Sequence, residues 1–356
     1  MRGPALQVFA GPSARTRLRE RGLQPADVAV MPAAAGGPKG LILNPLDRFL
    51  FGEWLPRSKQ PIQLLGASIG AWRMAAACLD EPVRALQRLA DDYIGQRYEH
   101  APGKAPTPAH VSTTFGAQLR AHFEGREHEV LAHPRWRLQV FTSRGRRLLT
   151  RDGRVRTPLG YAAAFASNAV HRRALGGWLE RVVFGDLDQA LPLADLRSTR
   201  VALDRTNLVP AIQASCSIPI WFDAVRDIPG GPPGAYWDGG ITDYHLHLDF
   251  PAMTDGLVLY PHFQPTVVPG WLDKPFKARH RASAKLDNVV LLAPHPDWVR
   301  GLPQGKLPDR NDFKAFVDDD AARERVWRRA LAESEGLAEE FAALVRRPSI
   351  DALPLP

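Results

Sequence analysis

The sequence predicts an α/β protein, a three-layer α/β/α sandwich built on a mainly parallel sheet. Three observations carry that expectation. Short apolar runs alternate with helix-length patterns along most of the 356 residues. Two of those runs, at 28–32 and 61–65, lead into glycine turns that open helices. At 45% hydrophobic residues the chain is also long enough to bury a large core.

Taken in order, Val28-Ala29-Val30-Met31-Pro32 reads as a strand. Ala33-Ala34-Ala35-Gly36-Gly37-Pro38-Lys39-Gly40-Leu41 then forms a glycine turn opening a helix with Leu41, Leu43, Leu46 and Leu50. Pro61 to Leu65 is a buried strand, and Ala71 to Cys78, with Met74 and three alanines, is a helix. Pro82 opens a further helix with Val83, Leu86, Ala90, Tyr93 and Ile94 on one face. Ala101 to Pro108 is a proline-rich connector. Residues 109–200 alternate helix and strand patterns, including the strand Trp136 to Phe141, and are expected to supply pocket walls. Strands at Gly256 to Tyr260 and Asn288 to Leu292 flank a basic, proline-bearing connector from Gln264 to Ala284. Val326, Ala330, Leu337, Phe341 and Leu344 line one side of a C-terminal helical region that Gly336 is expected to break. The expected organisation is a catalytic domain over 1–285, with about 81–200 partly pocket-forming insertions. A strand and helical extension over 286–356 packs on it.

The chemistry starts at Leu64-Leu65-Gly66-Ala67-Ser68-Ile69-Gly70-Ala71-Trp72. A G-x-S-x-G between a strand and a helix is a nucleophile elbow. Gly66 and Gly70 permit a strained turn that lifts the Ser68 hydroxyl clear of the backbone, beside a helix amino end that favours negative charge. Upstream, Gly36 and Gly37 leave backbone N–H groups unshielded at a helix start, as an oxyanion hole requires. A phosphate-cradling reading fails there, because Lys39 precedes Gly40 and no hydroxyl follows; G-x-G-x-x-G is absent too. Downstream come Ala214-Ser215-Cys216-Ser217-Ile218-Pro219 and Tyr236-Trp237-Asp238-Gly239-Gly240.

The order G-G-x-K-G, G-x-S-x-G, A-S-x-S-I-P and D-G-G resembles the patatin-like phospholipases over roughly residues 28–245. The resemblance implies a Ser–Asp dyad, with Ser68 as nucleophile and Asp238 as general base. It implies an oxyanion hole from the backbone of Gly36 and Gly37, and a sandwich of patatin type. Lys39 matches the family's basic position, where it anchors the loop or meets a phosphate head group. The family usually carries a third glycine where this chain has Ala35; a negative φ there keeps the hole intact. Pro38 lacks an N–H and is no donor.

The expected reaction is hydrolysis of lipid carboxylic esters, as a phospholipase A or lipid acyl hydrolase, without metal or organic cofactor. A thioesterase or acyltransferase on the same dyad is the near alternative. A protein that keeps the fold and binds membrane or nucleic acid without catalysis is the alternative from another class. A histidine base is a rival for Asp238, since His245, His247 and His262 follow it. His245-x-His247 has metal-chelating spacing on a strand, but nothing in the sequence singles out a third ligand. Otherwise these histidines are expected to line a polar strand end. Cys78 and Cys216 read as small buried residues.

The net charge of +8 is uneven. Arg135, Arg137, Arg144, Arg146, Arg147, Arg151, Arg154 and Arg156 crowd one stretch against Asp152 alone. Trp271, Lys274, Phe276, Lys277, Arg279, Arg281 and Lys285 form a second cluster. Mixed with aromatics, the second raises the expectation of peripheral contact with an anionic membrane. Nucleic acid is not expected as a partner. No apolar run reaches bilayer-spanning length, and the expected location is cytoplasmic.

Overall fold

The computed structural model describes residues 3–101 and 104–356. Met1 and Arg2, and Pro102 and Gly103 of the expected connector, lie outside them. Eleven strands of the described residues join in one sheet. They are β1 (Leu6–Ala10), β2 (Val28–Ala33), β3 (Ile62–Ala67), β4 (Trp136–Gly145), β5 (Leu179–Gly185), β6 (Ser198–Ala202), β7 (Val225–Arg226), β8 (Ala235–Asp238), β9 (Leu257–Pro261), β10 (Val289–Pro294) and β11 (Leu353–Pro354). The order is β11-β1-β10-β9-β2-β3-β4-β5-β6. Strands β10, β9, β2, β3 and β4 run parallel to their neighbours in that series. β1 and β5 pair antiparallel at its two sides.

The central strands are near-continuous apolar runs because both faces are covered. Alternate residues enter separate cores: Met31, Leu64, Leu138, Leu259 and Leu292 point to one, and Val30, Leu65, Phe141, Val258 and Leu291 to the other. Helices Pro12–Arg21, Asn44–Phe49, Ile69–Ala77, Leu208–Cys216 and Glu335–Leu344 contribute buried side chains to the first core. The opposite layer is thinner. Coil around 244–250 and 263–268 covers most of it, and helix Arg156–Val170 packs with Trp237, Ile241 and Leu272 in a third cluster.

Several expectations change in detail. The leucines after the glycine turn are buried, but the turn itself is a 3-10 stretch, Gly37–Leu43. An α-helix begins only at Asn44, because Pro45 cannot donate into a longer ladder. Val83 is 42% exposed, and Ala85 and Leu89 take its place on the buried face of helix Pro82–Ile94. The C-terminal break falls at buried Ser334, between helices Asp320–Glu333 and Glu335–Leu344, whereas Gly336 continues the second helix.

The boundary near 285 separates neighbours in one sheet, since β10 lies between β9 and β1. Glu340 of the last helix accepts hydrogen bonds from the N–H groups of Ala5 and Leu6, which fastens the start of the chain to its end. Residues 286–356 are therefore woven into the core. The stretch 81–200 also supplies the central strand β4.

Candidate active site

β4 is longer than β3, and the excess length builds the site. Its first half pairs with β3, ending at Phe141 opposite Ala67. The next residue, Thr142, pairs with Asp238 of β8, which approaches antiparallel along the same edge. The carboxyl ends of β3 and β8 thus meet head to head, and the residues that follow or end them are Ser68 and Asp238. Ser68 Oγ donates to Asp238 Oδ2 at 2.7 Å, and both residues are buried.

Ser68 has φ 56° and ψ −130°, a region that side chains with a Cβ rarely adopt. Holding it costs on the order of 1–3 kcal/mol, supplied by the surrounding packing. Gly66 and Gly70 let the turn close: a Cβ on Gly66 would collide with the backbone of Ala71, and one on Gly70 with the Ala33 carbonyl. Gly70→Ala is therefore expected to destabilise the fold by about 1–3 kcal/mol, read from the urea midpoint. An unchanged midpoint would mean that the elbow is looser than drawn.

Ser215 is the bracket of the site. Its hydroxyl accepts from the Ser68 N–H at 2.8 Å and donates to the Phe141 carbonyl at 2.6 Å. Its own carbonyl accepts from Gly239 N–H, and that of Ser217 from Asp238 N–H. The end of helix Leu208–Cys216 and the residues after it thereby set the spacing between serine and aspartate. The A-S-x-S block was legible in the sequence, but its role became visible only in these bonds.

The Asp238 carboxyl is held above the usual carboxylate range by burial. The charge of Arg310, the Ser68 hydroxyl, the Gly240 N–H and the charge of Lys274 pull the other way. The Gly240 N–H donates to Oδ1 at 2.7 Å, which fixes the carboxylate plane and leaves Oδ2 to Ser68. No histidine takes that place. His245 Nδ1 sits at the Thr266 carbonyl and the Val268 N–H, and His262 Nδ1 accepts from the Gln264 N–H. Burial holds both far toward the neutral form, with His262 pushed down to about 3. The expected strand placement of His245-x-His247 is not what forms. A tight turn ends helix Gly240–Asp243, and Leu246 has φ 46°. The expected polar strand end is instead a buried aromatic cluster, with the His245 and His262 rings 4.3 Å apart. Among the described residues no three His, Cys, Asp or Glu side chains converge as a metal site.

The turn at 35–37 faces this pair. Ala35 has a negative φ and donates its N–H to the Tyr244 carbonyl at 2.9 Å, and its methyl occupies the space that a Cβ on Gly240 would need. The alanine is accommodated by the glycine of the D-G-G block. Among the described residues the Gly36 and Gly37 N–H groups have no acceptor outside their own 3-10 turn, and Gly37 lines the same cavity as Ser68. Gly37 has φ 57°, so the turn itself calls for glycine. Gly40 packs on the elbow helix, where a Cβ would stand 3.2 Å from Ile69. Lys39 is not anchored by a carboxylate; its Nζ lies over the Phe263 ring at 5.4 Å.

Ser68 and Gly37 open into a cavity of about 140 Å³, with Trp72, Phe115, Ile218, Phe222 and Phe313 among its walls. Of the expected wall segment 109–200 only Val111 and Phe115 take part, because the rest is spent on β4–β6 and the opposite layer. Residues 310–323 form the other wall, a contribution that carries no local sequence signal. Cys216 lines the cavity as a buried thiol pushed up by burial, and Cys78 is buried too.

The second basic cluster meets helix Arg156–Val170 through a Phe165–Phe276 stack at 5.7 Å and an Arg279 bond to the Asn168 carbonyl. Much of the first is structural: Arg144 pairs with Glu180, Arg135 bonds the Gln60 carbonyl, and Arg156 bonds that of Leu148. Leu159 and Trp271 remain exposed beside it. No helix among the described residues is long and apolar enough to cross a membrane.

No protein-family model matches this chain, and no curated protein matches it in sequence.

Proposed function

We propose that this chain is a serine acyl hydrolase of patatin type that cleaves carboxylic esters of lipids. The observation that carries the reading is the 2.7 Å hydrogen bond from Ser68 Oγ to Asp238 at a strained strand-to-helix turn. An apolar cavity beginning at that serine suits an acyl chain.

In this mechanism Ser68 Oγ attacks the acyl carbonyl carbon as its proton passes to Asp238 Oδ2. The Gly36 and Gly37 N–H groups hold the resulting oxyanion, each such donor contributing about 2.7–4 kcal/mol. Collapse expels the alcohol, which takes the proton from Asp238 and leaves an ester on Ser68. Water then attacks that ester, giving a proton to Asp238. The second collapse releases the fatty acid and returns the proton to Ser68 Oγ. A buried carboxylate is a stronger base than a solvated one, which lets aspartate do work more often given to histidine. The enzyme would act in the cytoplasm and meet lipid through the basic, aromatic face around helix Arg156–Val170.

The test is intact-protein mass spectrometry after a long-chain fluorophosphonate. Wild type is expected to gain one adduct and Ser68→Ala none, and wild type alone should release fatty acid from lipid vesicles. Folded wild type that stays unlabelled would sink the reading.

A further inference from the structure

Three cations reach the candidate site from three separate segments. Lys39 comes from the turn after β2, Lys274 from the coil after β9, and Arg310 from the segment after β10. Arg310 lines the cavity with Ser68 and Gly37, and its Nε lies 3.3 Å from where a Cβ on Gly37 would stand. Lys274 Nζ lies 4.0 Å from the centre of the Tyr244 ring. Arg310 and Lys274 both act on the charge of Asp238, and Arg310 and Lys39 both act on that of Lys274. The three therefore share one field.

What sets them apart is the lack of partners. Arg73, Arg144, Arg172, Arg181 and Arg279, each half-buried or more, have a carboxylate within 4.0 Å. Among the described residues Lys39, Lys274 and Arg310 have none, and Arg310 has no hydrogen-bond acceptor either. A half-buried guanidinium left without an acceptor gives up hydration and gains nothing in return. Asp238, whose oxygens are committed to Ser68 and Gly240, acts on Arg310 and Lys274, and Asp309, itself paired with Lys306 at 3.0 Å, acts on Lys39. With Asp309 already paired to Lys306 and Asp238 already bonded to Ser68 and Gly240, the three cations leave positive charge in excess at the site. That excess matches a phosphate group, with its charge of −1 to −2, better than a single carboxylate, and the planar fork of Arg310 suits two phosphate oxygens.

We propose that Arg310, with Lys274 and Lys39, forms a phosphate-binding subsite beside Ser68, so that the C-terminal segment selects acyl substrates carrying a phosphate near the scissile ester. The substrate assignment rests on the hydrolase reading, whereas the subsite stands without it.

The test is calorimetry on the full-length Ser68→Ala chain, which cannot turn substrate over. The ligands are inorganic phosphate, a dodecanoyl lysophosphatidate and the matching neutral monododecanoylglycerol, all below micelle-forming concentrations. Phosphate is expected to bind, and the lysophosphatidate to bind at least tenfold more tightly than either phosphate or the neutral ester. Arg310→Gln and Lys274→Gln, each with an unchanged urea midpoint, should weaken both phosphate ligands at least tenfold, and Arg310→Lys should recover part of that loss. The neutral ester should lose far less. Equal affinity for phosphate and lysophosphatidate would overturn the head-group assignment in favour of a free phosphate ligand. No phosphate binding, or binding indifferent to Arg310→Gln, would overturn the subsite. Phosphate binding in a protein whose Ser68 never labels would sink the hydrolase reading alone.

Discussion

Asparagine in place of Asp238 is expected to slow fluorophosphonate labelling of Ser68 by about 10²–10⁴-fold, the usual contribution of a positioned general base. The variant should nonetheless be at least as stable as wild type. Asparagine keeps the shape, and its oxygen can still accept from the Gly240 N–H, but its amide cannot take a proton. The stability claim follows from the direction of the carboxyl's displacement. Burial raises it above its ordinary value of 3.8, so between that value and the folded one the native state holds a proton that the unfolded chain has lost. Wild-type stability therefore falls as pH rises through this window, and the loss persists above it. Asp238→Asn lacks that loss. Urea midpoints at pH 4 and pH 8, taken with labelling rates across the same range, check both halves. The wild-type rate should climb with pH along a limb above the usual carboxylate range, and Asp238→Asn should lose that limb. A limb near 6.5 abolished by His245→Ala would transfer the role to a histidine, against the burial that holds His245 neutral.

The residues of the candidate dyad were legible because they sit at strand ends marked by glycine. Gly66, Gly70, Gly239 and Gly240 are there because neighbouring backbone or side chains occupy the space of a Cβ, and such demands print themselves on local sequence. The strands at 28–33, 62–67, 136–145, 257–261 and 289–294 were legible to within a few residues, apart from residues 142–145 of the third, because both faces are buried. What the sequence left unmarked are contacts across long separations. Ser215 meets Ser68 through one hydroxyl, Arg310 reaches the cavity from a stretch with no periodic pattern, and β10 enters the sheet between strands distant in the chain. The histidine spacing misled for a related reason. Alternation suggested a strand, whereas the chain turns tightly at Tyr244 and His245 and carries Leu246 at positive φ, folding the rings inward.

Replacing Arg73 by methionine is expected to cost about 3–5 kcal/mol, the usual penalty for leaving one half of a buried pair behind. Arg73 lies on the elbow helix and grips Asp47 with two bonds, at 2.7 and 2.8 Å, and neither residue meets solvent. Asp47 belongs to the helix that follows the turn bearing Gly36 and Gly37, so the pair ties the two halves of the candidate site. Burial already lifts the Asp47 carboxyl above 3.8, with Arg73 pulling it down. Without Arg73 it rises further, and the native state then keeps a proton that the unfolded chain releases. The stability of Arg73→Met should accordingly fall as pH rises from 3.8 to that higher folded value, making its deficit larger at pH 8 than at pH 5. Adding Asp47→Asn to Arg73→Met removes the titrating group and should recover the pH-dependent part of the loss. Urea titrations of the three proteins at both pH values provide the measurement. A deficit independent of pH would show that the loss is packing alone. Labelling of Ser68 should also slow in Arg73→Met and recover only in part in the double variant, because the amide restores neutrality without restoring the grip that sets the turn at Gly36 and Gly37 against the elbow.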